Sequence, residues 1–150
     1  MLRAFLLVLS LSTAAAAVAA QACAQPLLDP INCCVLTAPA TFNTTFLTTS
    51  GSFTLAINRS AAPLGVDRFY NLVFYGYFSN QTMGAGNVAS FFRDIPGFVV
   101  QFGIAGLPAV SKAWEGLNLV DDPVLMSNTL GTIAFATGGP NTRTTQVCVV

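Results

Sequence analysis

The chain of 150 residues is 53% hydrophobic and 8% charged, with a formal net charge of zero. This indicates one domain with no bulk attraction to nucleic acid or to an anionic membrane surface. The chain contains no histidine, which excludes Ser-His-Asp and Cys-His catalysis and zinc sites with mixed Cys/His ligands. Its four cysteines match no Cys-x-x-Cys spacing, so we expect no metal and no cofactor.

Residues 1–22 have the order of a secretory signal peptide, with an early positive charge, an apolar run and an alanine-rich end. Small-x-small motifs allow cleavage after Ala19, Ala22 or Ala24, and we take Ala22 as the site. A retained membrane anchor is disfavoured because the leucine-rich part is short, and a lipidated Cys23 is disfavoured by the poor lipobox before it. The sequence therefore predicts the secretory pathway or the extracellular space, or the periplasm in a bacterium, without stable membrane insertion.

The next region, 23–44, contains three prolines, many small residues and little periodicity. We predict an extended arm there. Export would favour oxidised cysteines. The adjacent Cys33 and Cys34 would strain to pair with each other, so each is expected to seek another partner, of which Cys23 is the nearest. A disulfide between Cys148 and the arm also stays open.

Three Asn-x-Ser/Thr sequons begin at Asn43, Asn58 and Asn80. In a eukaryotic secretory pathway such sequons are glycan acceptors on the protein surface. The alternative is chance occurrence in a chain rich in Thr and Ser. All three lie outside the segments to which we assign chemistry below.

The main domain is predicted over 45–150. It opens with partial apolar alternation that predicts a hairpin turning at Gly51-Ser52. A helix is predicted to begin near Pro63, a residue suited to a first helical turn, and to end at a Gly76 cap. Two carboxylates at Asp121-Asp122 suggest an acid or calcium site, but no third carboxylate follows at ligand spacing, so we predict a turn. Further strands are predicted over 132–137 and 146–150, with a looser chain after Gly103.

The segment 91–103 combines crowded apolar residues with a lone arginine, a glutamine and the turn signal Pro96-Gly97. Alternation after the turn favours a strand, so we predict two short strands joined by a tight turn. Arg93 precedes the turn and Gln101 follows it, which would bring a guanidinium and an amide to one face beside an aromatic ring. Such a face can bind a peptide carbonyl and an apolar ring together. The alternative is a strand whose arginine is only a surface charge.

A second segment, 131–146, favours the first interpretation. It reads Gly-Thr-Ile-Ala-Phe-Ala-Thr-Gly-Gly-Pro-Asn-Thr-Arg-Thr-Thr-Gln and resembles one signature of the cyclophilin family of peptidyl-prolyl cis-trans isomerases. The segment around Arg93 resembles the other, Phe-x-Arg-x-x-Pro-Gly-Phe-x-x-Gln-x-Gly. The two occur in the family's order and at about its spacing, and the resemblance runs from about residue 52 to residue 150.

The resemblance implies a role for each matching residue. Arg93 would donate a hydrogen bond to the proline nitrogen of a twisted amide, and Gln101 would hold the neighbouring carbonyl. Cys148 falls where the family usually has a pocket phenylalanine, which implies a looser pocket. The other implied contacts are the proline pocket at Phe98 and Val99, the substrate backbone at Ala136 and Thr137, and a supporting side chain at Gln146.

The resemblance also implies a mainly β fold, a closed antiparallel β-barrel with capping helices. The sequence ends inside one of the family's strands, so we expect a barrel that is incomplete at the C-terminus. Expected partners are proline-containing peptides, unfolded protein clients and the family's cyclic-peptide inhibitor, with a monomeric chain and no nucleic acid. Two alternatives remain: a non-catalytic proline-peptide binding module, and a disulfide-stapled secreted structural protein.

Overall fold

A computed structural model describes residues 23–79 and 86–150. The predicted signal peptide and the sequon at Asn80 lie outside the described residues. No helix within the two described ranges has the length and apolarity needed to cross a membrane. The strands are β1 Thr41–Thr48, β2 Gly51–Asn58, β3 Arg93–Ile95, β4 Val99–Phe102, β5 Ile133–Phe135 and β6 Val147–Val149, and the α-helices are α1 Pro30–Cys33, α2 Pro63–Phe74 and α3 Pro108–Trp114.

The strands form two antiparallel sheets. β1 and β2 make a two-stranded hairpin, and the other four strands make a sheet in the order β3-β4-β6-β5. The architecture is mainly β with few helices, as expected. The predicted closed barrel is not found among the described residues, because no hydrogen-bonded ladder joins the hairpin to the four-stranded sheet.

Side chains join the two sheets instead. In β2 the large apolar residues alternate with small or polar ones, so Leu55 and Ile57 point inward together. They pack in one cluster with Phe69 of α2, Phe102 of β4 and Val147 of β6. The hairpin is confirmed, but its turn lies at residues 49–50 and not at the predicted Gly51-Ser52, which belong to β2. Its inner face shares a core with the sheet that carries the candidate site.

Helix α2 is also confirmed, with Pro63 in its first turn and Gly76 at a positive φ of 74° just beyond its end. Helix α3 was not predicted. Val110 and Trp114 lie four residues apart and are both buried, and Pro108 occupies a position in the first helical turn. The surrounding glycines and the short length of this apolar pattern conceal the helix in the sequence.

The region 23–44 is not simply extended. It contains a 3₁₀ turn at Pro26–Leu28 followed by α1, and its last residues belong to β1. Leu27 is fully buried in a second apolar cluster, where its carbonyl accepts a hydrogen bond from Trp114 Nε1 at 3.1 Å. Burial of a leucine side chain contributes about 1.5–3 kcal/mol, which explains why this region folds onto the domain.

Cys23 and Cys33 form a disulfide, and Cys34 and Cys148 are free thiols. The pairing of Cys148 with the arm is thus not observed. Cys34 is half-buried, and burial raises its pKa to about 12. Because the thiolate is the species that attacks a disulfide, the neighbouring Cys34 is a poor competitor for the bond.

The disulfide closes a short loop, with a sequence separation of 10. Replacing both partners, Cys23→Ser with Cys33→Ser, should lower the free energy of unfolding by about 2–3 kcal/mol, since a closed loop of this length restricts the unfolded chain by that amount. Urea unfolding followed by tryptophan fluorescence measures the change. Cys34→Ser is the matched control and should shift the midpoint little; equal midpoints for all three proteins would contradict the prediction.

Candidate functional site

A pair of polar side chains marks the candidate site on the four-stranded sheet. β3 and β4 are joined by a tight turn in which Gly97 has a φ of 75°, a conformation that suits glycine. The register pairs Arg93 with Gln101 directly across the two strands, and Arg93 Nη1 donates to Gln101 Oε1 at 3.3 Å. The predicted geometry of this pair is therefore confirmed.

A row of four side chains, those of Arg93, Gln101, Cys148 and Ala134, crosses the four-stranded sheet. Gln101 is also paired with Cys148 of β6, which in turn is paired with Ala134 of β5. Directly opposed residues of neighbouring strands point to the same face. Four strands thus place the guanidinium, the amide, the thiol and a methyl group side by side on one face.

Strand alternation keeps this face apart from the core. Phe102 and Val147, the neighbours of Gln101 and Cys148 along their strands, are buried in the apolar cluster beneath. A shift of register by one residue would exchange the two faces. The hydrophobic core therefore fixes which side chains the row presents.

Gln101 is held at both ends of its amide. Its Nε2 donates to Gln146 Oε1 at 2.9 Å, while its Oε1 accepts from Arg93. The side chain is buried, with 8% of its surface exposed, so these bonds satisfy an otherwise costly polar group. Gln146 also joins β5 to the row, because its carbonyl accepts from the Ala136 N–H at 2.9 Å.

Arg93 and Phe98 are exposed neighbours in the site. The Arg93 guanidinium lies 5.9 Å from the centre of the Phe98 ring, within the range of a cation–π contact. The Phe98 ring is 58% exposed, whereas Val99 beside it is buried. An incoming peptide can therefore meet both a charged donor and an aromatic surface.

Thr137 is the predicted contact whose side chain the structure engages elsewhere. Its hydroxyl bonds to the Thr142 hydroxyl and the Gly139 carbonyl, and it accepts from the Gly139 N–H. These contacts stabilise the turn after β5. They leave the backbone of Thr137, rather than its hydroxyl, for any contact with a ligand.

Cys148 is a neutral member of the row. Partial burial raises the pKa of its thiol above the ordinary value of 9.0, and the nearby positive charge of Arg93 opposes that shift. The thiol therefore stays protonated at neutral pH. It can contact a ligand as a small apolar group, but it is not poised as a nucleophile.

Sequence reasoning missed the support of the loop that leads into β6. Arg143 donates from Nε to Asp121 at 2.9 Å and from Nη1 to Asp122 at 3.1 Å. Asp122 also accepts from the N–H groups of Leu64 and Gly65 at the start of α2. This network fixes the loop before Gln146 to α2. The signal in the sequence was the pair of carboxylates, Asp121 and Asp122, together with an arginine of opposite charge, Arg143.

The same contacts occupy the two carboxylates. Asp121 and Asp122 bind Arg143 and backbone N–H groups, and the described residues contain no group of three or more His, Cys, Asp or Glu side chains placed to hold a metal ion. The predicted turn is not found: residues 121–125 form an irregular segment, which Arg143 braces.

A cavity of about 610 Å³ lies next to the row rather than on it. Gly103, Trp114 and Gln146 are among the residues that line it, whereas Arg93, Phe98 and Cys148 are not. Gln146 is the one predicted site residue among those that line this cavity. We locate the chemistry on the row, because the charged donor and the exposed ring are there.

Comparison with known proteins bears on this face. The family model described as cyclophilin type peptidyl-prolyl cis-trans isomerase/CLD matches residues 43–150. This match covers both segments from which the row is built. No curated protein matches the chain.

Proposed function

Since the chain belongs to the cyclophilin-type peptidyl-prolyl cis-trans isomerases, we propose that it accelerates the isomerisation of X-Pro bonds during the folding of secreted proteins. The family is one of isomerase enzymes that bind proline-containing peptides. The observation that carries the proposal for this chain is the Arg93–Gln101 pair beside the exposed Phe98 ring. On one face it provides a charged hydrogen-bond donor, an amide that can bind a peptide carbonyl, and an apolar ring surface.

The reaction suits a site without a histidine. Rotation about an X-Pro bond meets a barrier of roughly 18–20 kcal/mol, because the planar amide must lose its resonance. In the twisted amide the proline nitrogen becomes pyramidal and gains a lone pair. A donor that binds this lone pair more strongly than the planar nitrogen lowers the barrier. No nucleophile, metal or net proton transfer is needed.

Arg93, Gln101 and Cys148 of the row, and the predicted contacts beside it, each have a role in this proposal. Arg93 donates to the proline nitrogen, since its planar guanidinium stays charged and offers several donors. Gln101, oriented by its bond to Gln146, faces the carbonyl before the proline. The proline ring lies against Phe98 and Val99, next to Cys148. The peptide backbone runs along Ala136 and Thr137, and a cyclic-peptide inhibitor would occupy the same face.

We also propose that the chain is exported and that its two sheets are parts of one closed barrel. The order of residues 1–22 is that of a signal peptide, and the Cys23–Cys33 disulfide is typical of oxidising compartments. The hairpin and the four-stranded sheet share one apolar cluster. This sharing supports the interpretation that they are two parts of a cyclophilin barrel.

A protease-coupled assay on an Ala-Pro peptide tests the activity. We expect an increased rate of isomerisation that changes little between about pH 6 and pH 8. The reason is that the proposed donor is an arginine, a side chain that does not titrate near neutral pH, while burial raises the pKa of the Cys148 thiol above its ordinary value of 9.0. A folded chain without activity would contradict the proposal, and a bell-shaped profile in this range would contradict the roles assigned to the row.

Cys148 favours a second candidate, a binding module with little catalysis. A thiol fills less of the proline pocket than the aromatic ring usual in the family, and the missing contact is worth about 1–3 kcal/mol by buried-ring energetics. A peptide would then be bound loosely and turned over slowly.

Enlarging this residue tests the point. Cys148→Phe should raise kcat/KM about tenfold or more, because 1.4 kcal/mol corresponds to a factor of ten. Steady-state kinetics on the Ala-Pro peptide measure it. Cys148→Ala is the control, since it removes the thiol without adding volume; a gain of the same size in that variant would argue against the pocket explanation.

A further inference from the structure

The outer face of the β1–β2 hairpin carries two of the three sequons. β1 alternates between exposed and half-buried residues, and Asn43 lies on the exposed side. Asn58 at the end of β2 is exposed as well. The register pairs Asn43 with Ala56 and Asn58 with Thr41, so the two asparagines are diagonal neighbours, about 7–8 Å apart.

Both side chains have the attachment atom available. Asn58 Oδ1 accepts from the Ser60 N–H and hydroxyl at 3.0 and 2.9 Å, while its Nδ2 donates to none of the described residues. Asn43 makes no side-chain hydrogen bond within the described ranges. By contrast, Asn71 uses its Nδ2 on two backbone carbonyls and is buried. N-glycosylation replaces one hydrogen on Nδ2 and leaves Oδ1 as an acceptor, so the turn at Asn58 can persist.

The hairpin lacks the usual protection of an exposed strand. It has no Asp, Glu, Lys or Arg anywhere in the strands or the turn, over 41–58. Each of its strands pairs only with the other among the described residues. Leu47 near its tip is 85% exposed. Natural proteins protect such edges with charges, prolines or covering segments, and a chain with 8% charged residues has few charges elsewhere to oppose association.

We propose that Asn43 and Asn58 carry N-linked glycans that cover this face and keep the hairpin from pairing with other copies. The inference rests on the proposed export of the chain and takes the exporting cell to be eukaryotic. The donor is an oligosaccharide linked to a lipid pyrophosphate. A bond forms between Nδ2 and the anomeric carbon, Nδ2 loses a proton, and the lipid pyrophosphate leaves.

The first experiment measures occupancy. The full chain is expressed in a eukaryotic secretory host that makes high-mannose glycans, on an Asn80→Gln background so that the third sequon does not contribute. Mass spectrometry of the secreted protein should show two glycans, of which Asn43→Gln and Asn58→Gln each remove one. Thr45→Ser keeps the sequon and its hydroxyl contact with Thr54, and should keep the glycan.

The second experiment measures association. Light scattering should show a monomer for the glycosylated protein. The variant that combines Asn43→Gln with Asn58→Gln should form larger species at the same concentration. Trimming the folded glycoprotein to single sugars with endoglycosidase H gives the same comparison without any change that acts during folding. Trimmed protein should therefore also associate more.

The outcomes separate the two proposals. A secreted protein that is unmodified at both positions overturns the glycan inference and leaves the proposed compartment standing. Failure of export overturns the compartment, and the inference with it. Occupied sites whose trimming and removal leave the protein monomeric overturn the protective role.

Discussion

Arg93→Ala should lower kcat/KM on an Ala-Pro peptide roughly 10²–10³-fold, the usual loss when one donor to a transition-state lone pair or charge is removed. The variant loses the group that binds the pyramidal nitrogen. It keeps the strand pairing and the Gln101–Gln146 bond, so substrate binding should change less than turnover. The protease-coupled assay gives both parameters.

The controls separate donation from charge and from folding. Arg93→Lys retains the charge but loses the planar fork of donors, and should recover only part of the activity. Lys112→Ala removes a cation that lies outside the row and whose side chain is 80% exposed, and should change kcat/KM little. Arg93 is itself exposed, so its replacement should cost only the hydrogen bond to the buried Gln101 Oε1, about 0.5–1.5 kcal/mol. Full activity of Arg93→Ala would reject the catalytic role, whereas lost activity with a larger fall in stability would indicate a folding effect.

The site was predictable where its chemistry is local in the sequence. Pro96-Gly97 specifies a turn, and the alternation after it specifies a strand. Together they set the pairing of Arg93 with Gln101, because the length of a hairpin turn determines its register. The interpretation of 131–146 as part of the same site came from resemblance.

The contacts that complete the row could not be predicted in this way. Gln101 and Gln146 are 45 residues apart, and their hydrogen bond depends on β4 and β6 being adjacent in one sheet. The sequence of neither strand indicates which strand it pairs with. The bracing of the loop by Arg143 likewise depends on the position of α2, to which Asp122 is bonded.

The arm, residues 23–44, is a second case in which contacts between residues distant in the sequence decide the structure. Proline and small residues in 23–44 predict an extended arm, whereas the structure has a 3₁₀ turn and α1 there. The partner of Leu27 is Trp114, 87 residues away on a helix that was itself missed. Local propensity therefore indicates neither the compact backbone of the arm nor its attachment to the domain.

This attachment makes Trp114 the position where we expect the largest effect on stability. Trp114 is 2% exposed, its ring packs edge-on against Tyr77 with centroids 5.5 Å apart, and the Arg68 guanidinium lies 5.2 Å from its centre. Trp114→Ala removes these contacts, opens a cavity and leaves the Leu27 carbonyl without its donor. The cost should be about 3–5 kcal/mol, a large share of the 5–15 kcal/mol typical of a domain.

Two comparisons identify the source of that loss in urea unfolding followed by circular dichroism. Trp114→Phe keeps a ring but not the N–H, so it should cost much less than alanine, by the difference between a lost hydrogen bond and a cavity. Leu130→Ala alters a side chain that is 94% exposed and should be close to neutral. If Trp114→Ala were as stable as Leu130→Ala, the arm and α3 would not be joined through this ring. Because Trp114 lies outside the row, the folded fraction of the variant should keep its kcat/KM at low temperature, which separates the stability of the domain from the chemistry of Arg93.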